Sequence, residues 1–289
     1  MKSFLAALTF LIAAGAHAQA AIQPLSGILE GHHVGGVSVD MVGDLYVADF
    51  GDIVWKITPD GERTIFAGGL YGSSGNVVDE EGNLLQASYY GNSITRIDRL
   101  GHAARFAAAD LKGPVGLALD RKTGDLYVAN CGGNFISKIK GDGTSTVFAR
   151  SDLLKCPNGV AFGPDDSLYA VNFRDNRMLK IDAAGKVEPF ATVSSKGLGH
   201  LCFKKDRFFV TAFASHELYQ VMLDGTVTRI LGNGQRGLVD GKGEQARLSF
   251  PNGIACDPWS PRLYIDEYDG ETDESLPPRA IIREIILPE

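Results

Sequence analysis

The chain has 289 residues and a formal net charge of −7, with hydrophobic residues making up 44%. No tract of clustered Lys and Arg interrupts that acidity, so nucleic acid and anionic membrane surfaces are excluded as expected partners, and the acidity itself reads as solubility. Four cysteines without a CxxC pair argue against a zinc site built on them.

The first element is not expected to belong to the fold. Lys2 is a basic start, Phe4–Ala14 is an apolar run, and Ala16-His17-Ala18 has the small-x-small pattern of a cleavage site. This predicts a secretory signal peptide over residues 1–18, with Ala20 as a second cleavage position. The run is too short for a spanning helix, which needs roughly 20 residues. No later segment is long and apolar enough either, so the expected product is secreted or periplasmic, without membrane insertion.

From residue 19 onward one pattern repeats six times, and 19–289 is read as a single domain. A glycine or its equivalent opens each unit at Gly36, Gly75, Gly116, Gly159, His200 and Gly253, spaced 39, 41, 43, 41 and 53 residues apart. Units therefore start near 34, 73, 114, 157, 198 and 251. In each, a short apolar run and a turn precede a second strand, such as Leu45-Tyr46-Val47, Leu126-Tyr127-Val128 or Leu263-Tyr264-Ile265. A third strand follows (Val54–Ile57, Ile136–Ile139, Ile282–Ile285), and in five units a fourth follows a turn glycine. Four strands per period of about 40 residues predict an all-β, six-bladed β-propeller. The sixth unit ends after its third strand, so residues 24–29 are expected to supply its outer strand and close the ring, because an open ring leaves unpaired edges.

Between Leu231 and Phe250 the run Gly237-Leu238-Val239-Asp240-Gly241-Lys242-Gly243 leads through Ala246 to Pro251-Asn252-Gly253. This G-x-x-D-G-x-G-x-x-A segment before P-x-G resembles the blade junctions of NHL-repeat proteins. The repeated P-x-G-[VI]-A and L-Y-[VA] pattern is similar to NHL blades across the chain. At fold level the chain also resembles the gluconolactonase/regucalcin superfamily.

In a four-stranded blade, the loop entering strand one and the loop joining strands two and three share a face. That face surrounds the channel mouth, a default ligand site. The second-to-third strand loops, read in register, give a polar ring of Asp49, Tyr89, Asn130, Asn172, Ala212 and Glu267. One residue on lies a ring of Phe50, Tyr90, Cys131, Phe173, Phe213 and Tyr268. Five aromatics of six predict either a ligand-binding rim or packing between blades. Asn130 and Asn172 are candidate ligand contacts, and Asp49 and Glu267 candidate carboxylates for catalysis.

Cys131 and Cys156 fall on neighbouring loops of this face, which predicts a disulfide. Cys202 and Cys256 are offset by one residue in adjacent inner strands and are expected to be buried free thiols. His200, where five units use glycine, places an imidazole near the axis for acid–base work, metal ligation or the capping of a carbonyl. His32 and His33 precede the first blade on the same face.

Gluconolactonase-type resemblance implies a channel cation held by an acid, two asparagines and an aspartate. The corresponding positions are Gly35, Val115, Asn158 and Gly199, so only Asn158 matches. Asn158 and Asn252 are the remaining candidate ligands for a divalent cation, Ca or Zn. NHL-type amidating lyases use several channel histidines, of which His200 alone is present. The run Asp266–Glu274 looks like a calcium loop but lacks EF-hand spacing and reads as a solvated acidic loop. No nucleophile elbow, P-loop or dinucleotide fingerprint occurs.

Three functions follow: a monomeric binder of a small molecule or peptide at the mouth, a lactone/ester hydrolase or lyase at the same mouth, or a protein-interaction scaffold. Binding ranks first because the aromatic ring is visible in register and a full catalytic set is not.

Overall fold

The computed structural model describes residues 19–25, 29–30, 33–268 and 279–288. Residues 1–18, including the signal-peptide cleavage positions up to Ala18, lie outside the described residues, as does His32.

Six antiparallel sheets follow one another in chain order. Blade four shows the pattern: Pro157–Phe162, Leu168–Asn172, Arg177–Ile181 and Val187–Thr192 pair in sequence order. The apolar residues alternate with turn clusters, so each strand is short and each connection is a hairpin. The third-to-fourth turn contains a glycine at φ near +85° in blades one to five, as at Gly101 and Gly185, a backbone region that side chains disfavour.

The core is six apolar wedges, one between each pair of neighbouring blades, rather than a single mass. Leu168, Ala170, Leu179 and Ile181 of blade four pack against Ala129, Ile136 and Ala149 of blade three. The opposite face of blade four, through Tyr169, Val171 and Met178, packs on Phe208 and Val210 of blade five. Both faces of every blade are thus buried, which explains strands that are nearly continuous apolar runs.

At the axis the inner strands approach backbone to backbone. A Cβ added at Gly116 would lie 2.2 Å from the Asn158 carbonyl oxygen, and one at Gly36 would lie 2.7 Å from the Gly75 Cα. Glycine recurs there because adjacent blades leave no room for a side chain.

Blade six is closed by the N-terminal segment, three residues earlier than expected. Ala21–Pro24 pairs with Arg279–Ile286, and Leu29–Glu30 pairs with the other end of the same strand. Ile22 decides the register: it is buried opposite Ile285 and joins the blade five–six wedge. Gly241–Lys242 then adds outside Ala21 and Ile22, so the long Leu231–Phe250 insertion covers the new edge.

Two disulfides cross blade boundaries. Cys131–Cys156 joins blades three and four at the mouth. Cys202–Cys256 joins the inner strands of blades five and six, which corrects the expectation of two free thiols. The one-residue offset does send the two side chains to opposite faces of their own sheets. Because consecutive blades pack front to back, opposite faces are the ones that meet.

Candidate binding site at the channel mouth

The mouth contains a cavity of about 490 Å³, within the usual range for small-molecule sites. Its wall is aromatic: Phe50, Tyr89, Tyr90, Phe173, Phe213 and Tyr268 all line it. None of these six lies in the buried core, and Tyr90 and Phe173 are 54% and 37% exposed. The ring therefore faces the mouth, with Phe213 and Tyr268 also resting on the apolar wedge between blades six and one. The rings form a chain of contacts, with Phe50–Tyr89 centroids 5.6 Å apart, Tyr89–Tyr90 5.1 Å and Phe173–Phe213 5.9 Å. These are tilted or edge-to-face arrangements that fix an aromatic surface in place.

One position differs from the sequence register. Tyr89, rather than Tyr90, is the blade-two member of the rim. Its amide donates to the Gly72 carbonyl at 2.8 Å, as Cys131 does to Gly113, Phe173 to Cys156 and Phe213 to Gly197. Ser88 then takes the polar position, because Ser73 pairs with Ser88 as Pro157 pairs with Asn172. Tyr90 is an additional residue projecting beyond the rim.

The expected polar ring does not line the cavity. Asn130, Asn172 and Glu267 are fully buried and Asp49 is 2% exposed. Each ties down a loop. Asn130 Oδ1 accepts the Lys112 amide at 2.8 Å, Asn172 Oδ1 accepts the Lys155 amide at 3.0 Å, and Glu267 Oε1 accepts the Ser249 amide at 2.7 Å. Asp49 Oδ1 accepts from the Gly51 and Ile53 amides and the Ser73 hydroxyl. Glu267 also meets Arg283, which is itself 2% exposed in its side chain. Polar side chains were needed here because loop amides entering the blades would otherwise be buried without acceptors. Asp49 and Glu267 are thus removed from the mouth as candidate catalytic carboxylates, and Asn130 and Asn172 as ligand contacts.

A second set of contacts, which sequence reading missed, latches three of these loops to the next blade. Asn92 Oδ1 accepts the Gly113 amide and Asn134 Oδ1 the Cys156 amide, both at 2.7 Å. At the blade five–six boundary His216 Nδ1 accepts the Phe250 amide at 3.1 Å. All three sit at positive φ, between +48° and +59°, where asparagine is the common non-glycine choice. The accepting Nδ1 requires a neutral His216 with its proton on Nε2. Burial, and then the nearby Arg236 charge, lower its pKa. The Arg236 guanidinium lies 4.8 Å from the Phe250 ring centre, extending the aromatic surface on this side.

His200 lies beneath the mouth and does not line it. Its imidazole Cε1 comes within 2.9 Å of where a Gly75 Cβ would be, three blades away in a ring of six, so the side chain crosses the axis and plugs the channel. It is 9% exposed, and its Nε2 makes no hydrogen bond. Burial lowers its pKa to about 4, so it is neutral over the physiological range. A second axial group, Asp266, accepts the Gly253 amide and is fully buried. Burial raises its pKa to about 7.

The cavity floor includes Ser74, Val115, Asn158 and Asn252. Asn158 donates from Nδ2 to the Leu198 carbonyl, and Asn252 donates to the Gly35 carbonyl at 2.6 Å. A divalent cation fits this set poorly: the available donors are neutral amides, and among the described residues no three His, Cys, Asp or Glu side chains gather to hold a metal. His33 does reach the mouth, stacked on Tyr268 with ring centres 4.8 Å apart. The acidic run continues beyond Tyr268 outside the described residues; its first two members, Asp266 and Glu267, are buried in a strand.

A scan against known family models finds no match, and no curated protein matches the chain significantly. Solved structures share the fold. An auxiliary nutrient binding protein from Bacteroides ovatus is 17% identical with a TM-score of 0.74, over 94% of this chain and 77% of that one. A gluconolactonase from Xanthomonas campestris is 17% identical with a TM-score of 0.68, over 90% and 89% of the two chains. Virginiamycin B lyase from Staphylococcus aureus, solved as a catalytically inactive variant with quinupristin, is 16% identical with a TM-score of 0.65, over 90% and 82%. At these identities the likeness establishes a six-bladed β-propeller of the architecture found in gluconolactonases, streptogramin lyases and nutrient-binding proteins, and leaves the chemistry to the residues of this chain's own mouth.

Proposed function

We propose that this protein is an exported binding propeller that takes a small molecule or peptide with an apolar, ring-bearing body at the channel mouth. The observation that carries this reading is the aromatic wall around a 490 Å³ cavity. Aromatic faces bury large ligand area at little entropic cost, and the floor amides supply a few orienting polar groups. Two disulfides support the export reading, since they persist in oxidising compartments.

The test is ligand-observed NMR with a panel of aromatic small molecules against wild type and Phe173→Ala/Phe213→Ala. Loss of two contacting rings at about 1 kcal/mol each predicts at least tenfold weaker binding by the variant. Equal binding by both proteins overturns the proposal.

Catalysis is the second reading, supported by His33 at the rim and by the fold shared with a gluconolactonase. A lactone and ester hydrolysis screen with and without EDTA tests it. Turnover that His33→Ala abolishes while ligand binding persists favours an enzyme.

A further inference from the structure

The loops entering blades three, four and five carry a lysine at one register position. Lys112, Lys155 and Lys196 each immediately precede the residue at positive φ, namely Gly113, Cys156 and Gly197. Those three residues offer the carbonyls that receive the rim amides of Cys131, Phe173 and Phe213. Each lysine therefore stands one residue outside the rim. Two are held there by the buried amides already described, Asn130 on the Lys112 backbone and Asn172 on the Lys155 backbone. Arg174, next to Phe173, adds a fourth cation, its amide donating to the Lys155 carbonyl.

All four side chains are exposed, and none is in an ion pair among the described residues. The nearest carboxylates in sequence, Asp110 and Asp152, pair with neither Lys112 nor Lys155. The opposite face behaves differently. There Lys56 meets Asp44, Lys122 meets Asp166, Lys138 meets Asp125 and Lys180 meets Asp165. Four lysines of that face are thus neutralised by carboxylates, whereas the arc of three lysines and Arg174 outside the rim has no such partner among the described residues.

We propose that the ligand of the aromatic mouth is an anionic amphipathic small molecule, its apolar body in the cavity and its acid group facing Lys112, Lys155 and Lys196. The proposal deepens the binding reading and rests on it. The arc spans half the ring, so an acid group emerging on the side of blades three to five meets several cations at once. The shared chemistry is a carboxylate, sulfonate or phosphate on an apolar body.

The test compares naphthalene-2-sulfonate with the neutral 2-naphthalenemethanol, titrated calorimetrically in 10 mM and 0.15 M salt. Three proteins are used: wild type, the mouth variant Lys112→Gln/Lys155→Gln/Lys196→Gln, and a variant with the same charge change on the opposite face, Lys122→Gln/Lys140→Gln/Lys186→Gln. The sulfonate is expected to bind wild type about tenfold tighter than the alcohol at 10 mM salt, where the screening length is about 30 Å, and to lose most of that advantage at 0.15 M, where it is about 8 Å. The mouth variant is expected to lose the advantage and keep its affinity for the alcohol; the opposite-face variant keeps both. If the two probes bind alike, or if both variants lose the preference equally, the charge proposal is overturned and the aromatic mouth stands. If neither probe binds wild type, both fall.

Discussion

Arg283 is the most consequential single side chain outside the mouth, and replacing it gives a prediction with a definite size. Its guanidinium donates to Glu267 Oε2 at 2.9 Å, the Arg247 carbonyl at 3.0 Å, the Val239 carbonyl at 2.9 Å and Asp240 Oδ1 at 2.8 Å. One side chain thus fastens the Leu231–Phe250 insertion to blade six and neutralises a carboxylate that is 0% exposed. Arg283→Met keeps the volume and removes every one of these bonds. Breaking a buried pair by removing one partner costs about 3–5 kcal/mol. The loss depends on pH. Burial already raises the Glu267 pKa to about 7 with Arg283 lowering it, and removing the cation moves it higher. A carboxyl whose folded pKa lies above its unfolded value stabilises below the unfolded value, and that stability is lost as pH rises through the folded one. Wild type shares that loss up to about pH 7, so the deficit of the variant should be level near pH 5 and grow above about pH 7, by up to about 1.4 kcal/mol per pH unit. Urea unfolding followed by circular dichroism at about pH 5 and pH 8 measures it. Arg283→Met/Glu267→Gln should remove most of the added pH dependence. A cost below about 1 kcal/mol at pH 8, or the same cost at pH 5 and pH 8, refutes the reasoning, because an uncompensated buried carboxylate cannot behave so.

Further outcomes can be measured on the same preparations. The two axial groups oppose each other: neutral His200 loses stability as pH falls from about 6.5 to about 4, whereas Asp266 loses stability as pH rises from about 4 to about 7. His200→Gln should make stability fall more steeply with rising pH across that window than in wild type, Asp266→Asn should do the reverse, and parallel profiles would contradict the burial of both. Replacing Cys202 and Cys256 by serine opens a covalent loop of 54 residues, which chain entropy values at about 4 kcal/mol; a change under 1 kcal/mol would count against the pairing. Ala20 is buried and its carbonyl accepts the Gly243 amide, so if the proposed signal peptide is removed, intact mass of the mature protein should give Gln19 as the first residue; a start at Ala21 would contradict a structural role for Ala20.

The repeat made the blades legible, because turn residues punctuate short apolar runs at a fixed spacing and only a ring of sheets buries both faces of each. The aromatic rim was legible in the same register, apart from the one-residue shift between Tyr89 and Tyr90. The role of the polar ring was not. Asn130, Asn172, Asp49 and Glu267 have the residue types of ligand contacts, yet acceptors for buried loop amides have the same types, and only the direction of the side chain separates them. The Cys202–Cys256 pairing was not legible because within one sheet a one-residue offset separates two side chains, whereas this pair meets in the space between two sheets. The lysine arc follows the repeat: Tyr71, Lys112, Lys155, Lys196 and Ser249 occupy one position in successive blades. What the sequence did not contain was which lysines find carboxylates on the folded surface.

The most direct measurement is a titration of isotope-labelled protein with naphthalene-2-sulfonate, followed through backbone amide shifts. Saturable shifts concentrated at Phe50, Tyr89, Phe173, Phe213 and Tyr268 are the predicted result. A separate groove on the outside of blade five is lined by Lys204, Lys205 and Arg207; shifts centred there, with the rim unmoved, would contradict a binding site at the mouth.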